Sequence, residues 1–314
     1  MSFVTSNAYK LATAADQKPS IALVTGAKSG IGLALARKVA SFPFIEKVLA
    51  VSRSITTKDV ADDPKFVPVA ADVSSSEGRQ IILDKVQEFC GPPSQRKKQV
   101  RFLVHSAGTI NPIKPALEVT SDELHQSMMV NCEGPFFLTT ALHPYMQPLE
   151  EEKASSSGLT GRVLHVSSGA AHGAPPVGWS VYGITKAAFF QTFHVLEQEF
   201  RGTGVAVGSF KPGVVDTDMQ GLIRSSSESN MPLVQKFIGL KSNVGSSGPH
   251  STTKARPPPK GSLDSPENVA FFAEYLLLGT TDEEFANAED PSEWDIRHPE
   301  NFSKWIPAEN LPKD

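Results

Sequence analysis

The sequence predicts an α/β fold: one large domain in which a buried, mostly parallel sheet is flanked by helices. Three observations carry that expectation. Short apolar runs of strand length alternate along the chain with segments whose apolar residues recur at helical spacing. The first run, residues 21–25 (Ile-Ala-Leu-Val-Thr), passes at once into a glycine turn and then a helix, an order typical of parallel sheets. Finally, 314 residues with 39% hydrophobic content suffice to enclose one sizeable sheet.

The elements follow in order. After the first strand come Gly26, Gly30 and Gly32, then Leu33, Leu35, Ala36, Val39 and Ala40 at helical spacing. Gly26 permits a tight turn, Gly30 lets the backbone approach a pyrophosphate, and Gly32 lets the helix lie close to the strand. The helix N-terminus offers free N–H groups to the anion. The alternative is a purely structural glycine turn. Lys28, Ser29 and Ile31 of the same loop are expected among the cofactor contacts. Residues 48–51 form the second strand and end in Ser52-Arg53-Ser54, where an NAD-binding chain usually carries an acid for the ribose hydroxyls. Arg53 is suited instead to the 2′-phosphate of NADP, with Lys28 as a second positive charge. NADP(H) is therefore expected, with NAD the alternative.

A third strand at 66–70 closes in Ala71-Asp72-Val73-Ser74. Asp72 can accept from an adenine amino group while Val73 covers the ring, and it reads equally well as a helix N-cap. Ile81, Ile82, Val86 and Phe89 predict a helix that breaks at Gly91-Pro92-Pro93. The basic tract Arg96-Lys97-Lys98 reads as a solvated loop. The fourth strand, residues 100–105, ends in Ser106-Ala107-Gly108, small enough for backbone to lie against a ribose. Asn131 falls within a mostly apolar helix, where an unsatisfied amide costs about 1–3 kcal/mol. It is expected to hold a helix kink or a water chain, with Gly134-Pro135 adding local irregularity. Residues 150–158 read as a surface insertion, and strands follow at 163–166 and 205–210. Residues 218–264, rich in Ser, Gly and Pro, are expected to form a substrate lid with a disordered middle. A last helix opens at Pro266, and residues 293–297 suggest a closing strand. Residues 1–18 read as a flexible tail, leaving 19–314 as the domain.

The chemistry is concentrated between Ser167 and Lys186. Tyr182 and Lys186 are four residues apart in a helical stretch, so both share one face. A free phenol titrates near ~10, and proton exchange near neutrality asks for a downward shift of ~2–3 units. A neighbouring ammonium has the right sign to supply it. Ser167 and Ser168 end the preceding strand, and one of them can hold a substrate oxygen while the tyrosine protonates it.

Composition excludes several classes. A net charge of -4 gives no basic footprint for nucleic acid, and no basic amphipathic stripe marks a membrane surface. No apolar run reaches the ~18 residues of a membrane span. Two cysteines without a CxxC pair predict reduced, buried thiols in a cytoplasmic setting. The eight histidines show no metal-ligand spacing, so no metal is expected.

Together these motifs resemble the short-chain dehydrogenase/reductase family over roughly residues 21–217. Thr25-Gly26-x-x-x-Gly30-x-Gly32 is similar to its cofactor fingerprint, Asp72-Val73 to its adenine contact and Ser106-Ala107-Gly108 to its Asn-Ala-Gly element. Asn131, Ser168, Tyr182 and Lys186 match its catalytic tetrad, and Pro212-Gly213, Val215 and Thr217 its nicotinamide-side loop. The resemblance implies a single doubly wound, Rossmann-like domain with a seven-stranded, mostly parallel sheet. It implies Tyr182 as general acid/base, Lys186 on the ribose and lowering the phenol pKa, Ser168 on the substrate carbonyl, and Asn131 in a proton relay. It also implies a homodimer or homotetramer and a small-molecule carbonyl substrate. Ser106 departs from the usual asparagine. Ser168 lies fourteen residues before Tyr182, one more than the pattern, which predicts a loop bulge near Pro175-Pro176 and keeps Ser167 as a lesser candidate. The run from Pro212 to Gln220 is similar to sepiapterin reductases and their benzil reductase-like relatives. Trp179, Met219, Leu222 and Phe237 are expected in the substrate wall, and Asp295 against a pterin-like ring. The contrasting expectation is a non-catalytic NADP-binding sensor.

Overall fold

The structure is a computed structural model that describes residues 18–60, 62–150, 161–243, 254–286 and 293–311. The expected tail (but for Lys18), most of the 150–158 insertion and the middle of the expected lid lie outside these residues.

Seven parallel strands form one sheet in the order β3-β2-β1-β4-β5-β6-β7. They are β1 Ser20–Thr25, β2 Ile45–Ser52, β3 Phe66–Ala70, β4 Val100–His105, β5 Gly161–Val166, β6 Val205–Lys211 and β7 Trp294–Asp295. Every residue of β1, β4 and β5 is buried, which explains why these strands read as continuous runs rather than alternating ones. Helices cover both faces. Helix α1 (Gly30–Ala40) packs through Leu35 and Val39 on one face, and α2 (Ser76–Cys90) through Ile82 and Val86 on the other. Each such aliphatic side chain contributes about 1.5–3 kcal/mol by leaving water. Chain order reverses between β1 and β4, so the crevice beyond their carboxyl ends lies at a topological switch point, where open α/β sheets bind ligands.

Helix α3 (Ser121–Met128) runs through one π-helical turn, Met129–Glu133, into α4 (Gly134–Met146). Thr120 and Glu123 close a capping box at the start of α3. Helix α5 (Ser180–Glu199) crosses behind β5 and β6. Short helices α6 (Asp218–Arg224) and α7 (Val234–Ser242) follow β6, and α8 (Pro266–Leu278) packs beside α1. Cys90 and Cys132 are free and buried, and burial pushes the Cys90 thiol up to about 12.

Arg96 departs from its expected role as a solvated loop residue. Its guanidinium is half-buried and donates to the carbonyls of Tyr145, Gln147 and Pro148, tying the loop before β4 to the end of α4. Among the described residues no helix is long and apolar enough to cross a membrane.

Candidate active site

One wall of the crevice is made of backbone. Gly26 has φ +70, and a Cβ on it would lie 2.8 Å from the Ala107 nitrogen; a Cβ on Gly32 would meet the Gly26 carbonyl at 2.1 Å. The glycine loop, the start of α1 and the turn after β4 therefore approach more closely than any side chain permits. Thr25 holds that approach: its hydroxyl accepts from the N–H groups of Ser106 (3.1 Å) and Ala107 (3.2 Å). Sequence reasoning placed Thr25 in the cofactor fingerprint but gave its hydroxyl no partner. Ser29 precedes α1 but its hydroxyl donates to Asp218 (2.9 Å) instead of capping, so no side chain caps the first N–H groups of α1. Lys28 donates to the Ser54 carbonyl at 2.8 Å, beside the exposed Arg53. Gly26, Lys28, Ser29, Gly30, Ile31, Gly32, Arg53, Ser106, Ala107 and Gly108 all line one cleft of about 780 Å³. An adjoining hollow of about 550 Å³ is lined by Arg53, Asp72 and Val73. Of the two readings of Asp72, the helix cap belongs to Ser75, which accepts from Gly78 N (3.0 Å); Asp72 accepts from the Ser74 N–H and hydroxyl instead.

The other wall is made of side chains. Tyr182 and Lys186 lie on successive turns of α5 and both line the cleft. Ser168 lines the cleft beside Tyr182, where it works against the rise in the phenol pKa, and accepts from Ala170 N (3.2 Å). Ser167 points elsewhere, donating to Glu293 at 3.0 Å, so Ser168 is the serine beside the tyrosine. The Lys186 ammonium donates to the Val166 carbonyl (2.9 Å) and stands 6.0 Å from the centre of the Tyr182 ring.

The protein groups by themselves leave the phenol above its usual range. Burial raises the Tyr182 pKa, and the Ser168 hydrogen bond only works against that rise. Burial also brings the Lys186 ammonium down to about 8, with Glu293 the opposing influence. Two buried imidazoles lie below. His105, bonded to Thr139 at 2.7 Å, is brought down to about 3 by burial, and His165, stacked 4.3 Å from Phe189, is also held well below its usual range.

Asn131 is 1% exposed and sits in the π-helical turn, as the expected kink requires. Its carbonyl accepts from Thr109 N (2.8 Å), and its amide donates to Thr109 O (2.8 Å) and Thr185 Oγ1 (2.9 Å). It thereby ties the turn after β4 to α5 one residue from Lys186.

Beyond Tyr182 the cleft becomes apolar. Trp179 stands edge-on to Tyr182 (5.7 Å) and against Phe237 of α7 (5.4 Å), with Ile110, Met219 and Leu222 nearby on the same lining. Pro212, Gly213, Val215 and Thr217 line the cleft between the two walls. In the loop 172–179, Pro175 lies so close to Gly183 that a Cβ there would meet it at 2.7 Å. Asp295 does not reach the cleft. It is 4% exposed, and its carboxylate is taken by Arg297 (2.8 and 3.0 Å) and Lys211 (3.5 Å). Arg297, which the sequence did not suggest, lines the cleft in its place. Among the described residues no group of three or more His, Cys, Asp and Glu side chains is arranged to hold a metal ion.

Against known families, residues 20–228 match the model of the short chain dehydrogenases. The chain belongs to that family. It is therefore an oxidoreductase acting on CH–OH and C=O groups. Among curated relatives of this short chain dehydrogenase, benzil reductase ((S)-benzoin forming) of Bacillus subtilis is 32% identical over 221 residues, covering 69% of this chain and 84% of that one. Sepiapterin reductase of Rattus norvegicus is 30% identical over 220 residues, covering 66% and 79%. A short chain dehydrogenase/reductase structure from Saccharomyces cerevisiae superposes with a TM-score of 0.70 at 23% identity, over 92% of this chain and 100% of that one, a likeness of fold.

Proposed function

We propose that the protein reduces a ketone or dicarbonyl to the alcohol with NADPH, Tyr182 supplying the proton. One observation carries this reading: Ser168, Tyr182 and Lys186, the last one turn on along α5, line one cleft where its glycine wall meets an aromatic pocket. The cradle fits a dinucleotide. Cβ atoms on Gly26 or Gly32 would collide with backbone, the N–H groups of α1 carry no side-chain cap, and Arg53 and Lys28 stand where a 2′-phosphate would be met. Bound there, the reduced nicotinamide supplies a hydride to the carbonyl carbon.

The chain's own residues do the rest. Ser168 holds the carbonyl oxygen, and Tyr182 passes its phenolic proton to that oxygen as it becomes negative, completing the alcohol. The raised phenol pKa keeps that proton in place at neutral pH. Lys186 would hold the ribose hydroxyls, and its positive charge favours the phenolate left behind, which regains a proton from solvent. Asn131, with both ends of its amide committed, keeps the turn after β4 and α5 in register. Trp179, Phe237 and Met219 exclude water and suit a flat, apolar carbonyl compound, which agrees with the substrate named for the Bacillus relative. Self-association through α4 and α5, where Phe137 and Ile184 are exposed, belongs to the same reading.

The test is loss of NADPH absorbance with aromatic diketones, quinones and pterins. Turnover is expected with at least one of them. Tyr182→Phe is expected to lower it by about 10²–10⁴-fold while NADPH still binds. Cofactor binding with no turnover on any carbonyl would favour a sensor instead.

A further inference from the structure

Val166, Ser167 and Ser168 are consecutive, and each holds a different group. The Val166 carbonyl accepts from Lys186 (2.9 Å), the Ser167 hydroxyl donates to Glu293 (3.0 Å), and Ser168 lines the cleft beside Tyr182. Glu293 is the one member of this set without a part in the reduction. Its side chain is wholly buried, and it gathers partners from three places: Ser167 at the end of β5, Ser209 in β6 (2.6 Å) and His172 in the loop leading to α5 (2.6 Å). A carboxylate is held inside a protein only when its oxygens are this fully engaged.

We propose that Glu293 is a positioning residue of the active site, its carboxylate pinning Ser167 so that the groups on either side hold Lys186 and Ser168 in register. The inference rests on the Tyr182–Lys186 reading above. The groups around Lys186 support it. Tyr182 on the same helix is protonated, His165 on β5 is neutral and lies beside His105 on β4, and Arg297 across the cleft is positive. Glu293 is the anion whose field opposes the loss of the Lys186 proton that burial promotes. Sequence reasoning passed over Glu293 in favour of its neighbour Asp295, which the structure commits to Arg297.

The test is the pH dependence of kcat/KM for NADPH-driven reduction in the parent, Glu293→Gln, Glu293→Asp and Ser209→Ala. In Glu293→Gln the alkaline limb is expected about one pH unit lower, the scale of a lost neighbouring charge. Glu293→Asp is expected to restore most of it. Ser209→Ala is expected to lower Tm and leave the limb in place. Superimposable profiles for parent and Glu293→Gln overturn the charge role. If Glu293→Gln does not fold, Ser167→Ala decides: removing the pin is expected to lower kcat about tenfold with the NADPH KM unchanged, and an unaltered kcat overturns the positioning role. Tyr182→Phe is run beside them. Full activity in that variant would fail the catalytic reading itself, whereas its inactivity with an unmoved Glu293→Gln profile fails this inference alone.

Discussion

The two walls of the cleft are built from different materials. Among the described residues, the first hundred bury no Asp, Glu, His, Lys or Arg side chain, whereas beyond them Arg101, His105, Arg162, His165, Lys186, Asp264, Glu293 and Asp295 are all buried. The wall of β1, β2 and the glycine loop works through backbone: close approach, uncapped N–H groups and a positive rim. The wall of β4 to β7 works through side chains whose protonation depends on burial. A binding surface for a phosphate-rich group needs only N–H groups and space, while proton transfer needs titratable groups held out of water. The difference predicts that the first wall fails sterically and the second fails with pH.

The sharpest way to break the comparison is Gly32→Ala. A methyl would be forced to 2.1 Å from the Gly26 carbonyl, with backbone on both sides and no side chain free to yield. The expected cost is about 3 kcal/mol, seen as a lower Tm with loss of NADPH binding at every pH. A variant that binds NADPH normally would remove the steric account of the first wall.

Next in size is the acid limb of stability. The folded pKa of His105 is about 3 and that of His165 is well below its usual value, both lowered by burial, so the unfolded chain binds more protons than the folded one between about pH 6.5 and 3. Stability therefore falls as pH drops through that window. His165, whose two ring nitrogens lack partners, can be replaced by Phe with little loss at neutral pH. His165→Phe is expected to flatten the limb in urea unfolding followed at a series of pH values, and an unchanged limb would remove these imidazoles as its cause.

The smallest effect sharpens the rim of the first wall. Arg53→Ala removes an exposed guanidinium, and the expected loss is about 1.5–3 kcal/mol in NADPH affinity with NADH affinity nearly unmoved. Equal loss for both cofactors, measured by titration of protein fluorescence, would take the 2′-phosphate contact away from Arg53.

What could be read from the chain follows the same division. The glycine turn, the strands through β6 and the Tyr182/Lys186 pair were legible because their information is local: turn chemistry, periodicity and a four-residue spacing. Asn131 was legible as a kink because an amide in an apolar helix must find partners. The destination of Asp295 and the lining role of Arg297 were not. They depend on where residues 126 positions apart, such as Ser167 and Glu293, come together.

By itself the sequence determined the family and the parallel α/β sheet and marked Tyr182 and Lys186 as the candidate proton-handling pair, since each is written in short-range pattern. Only the tertiary structure decided the protonation of that pair and which acid stands behind it. A pKa is set by burial and by the charges that packing brings near, and neither quantity belongs to any one stretch of chain.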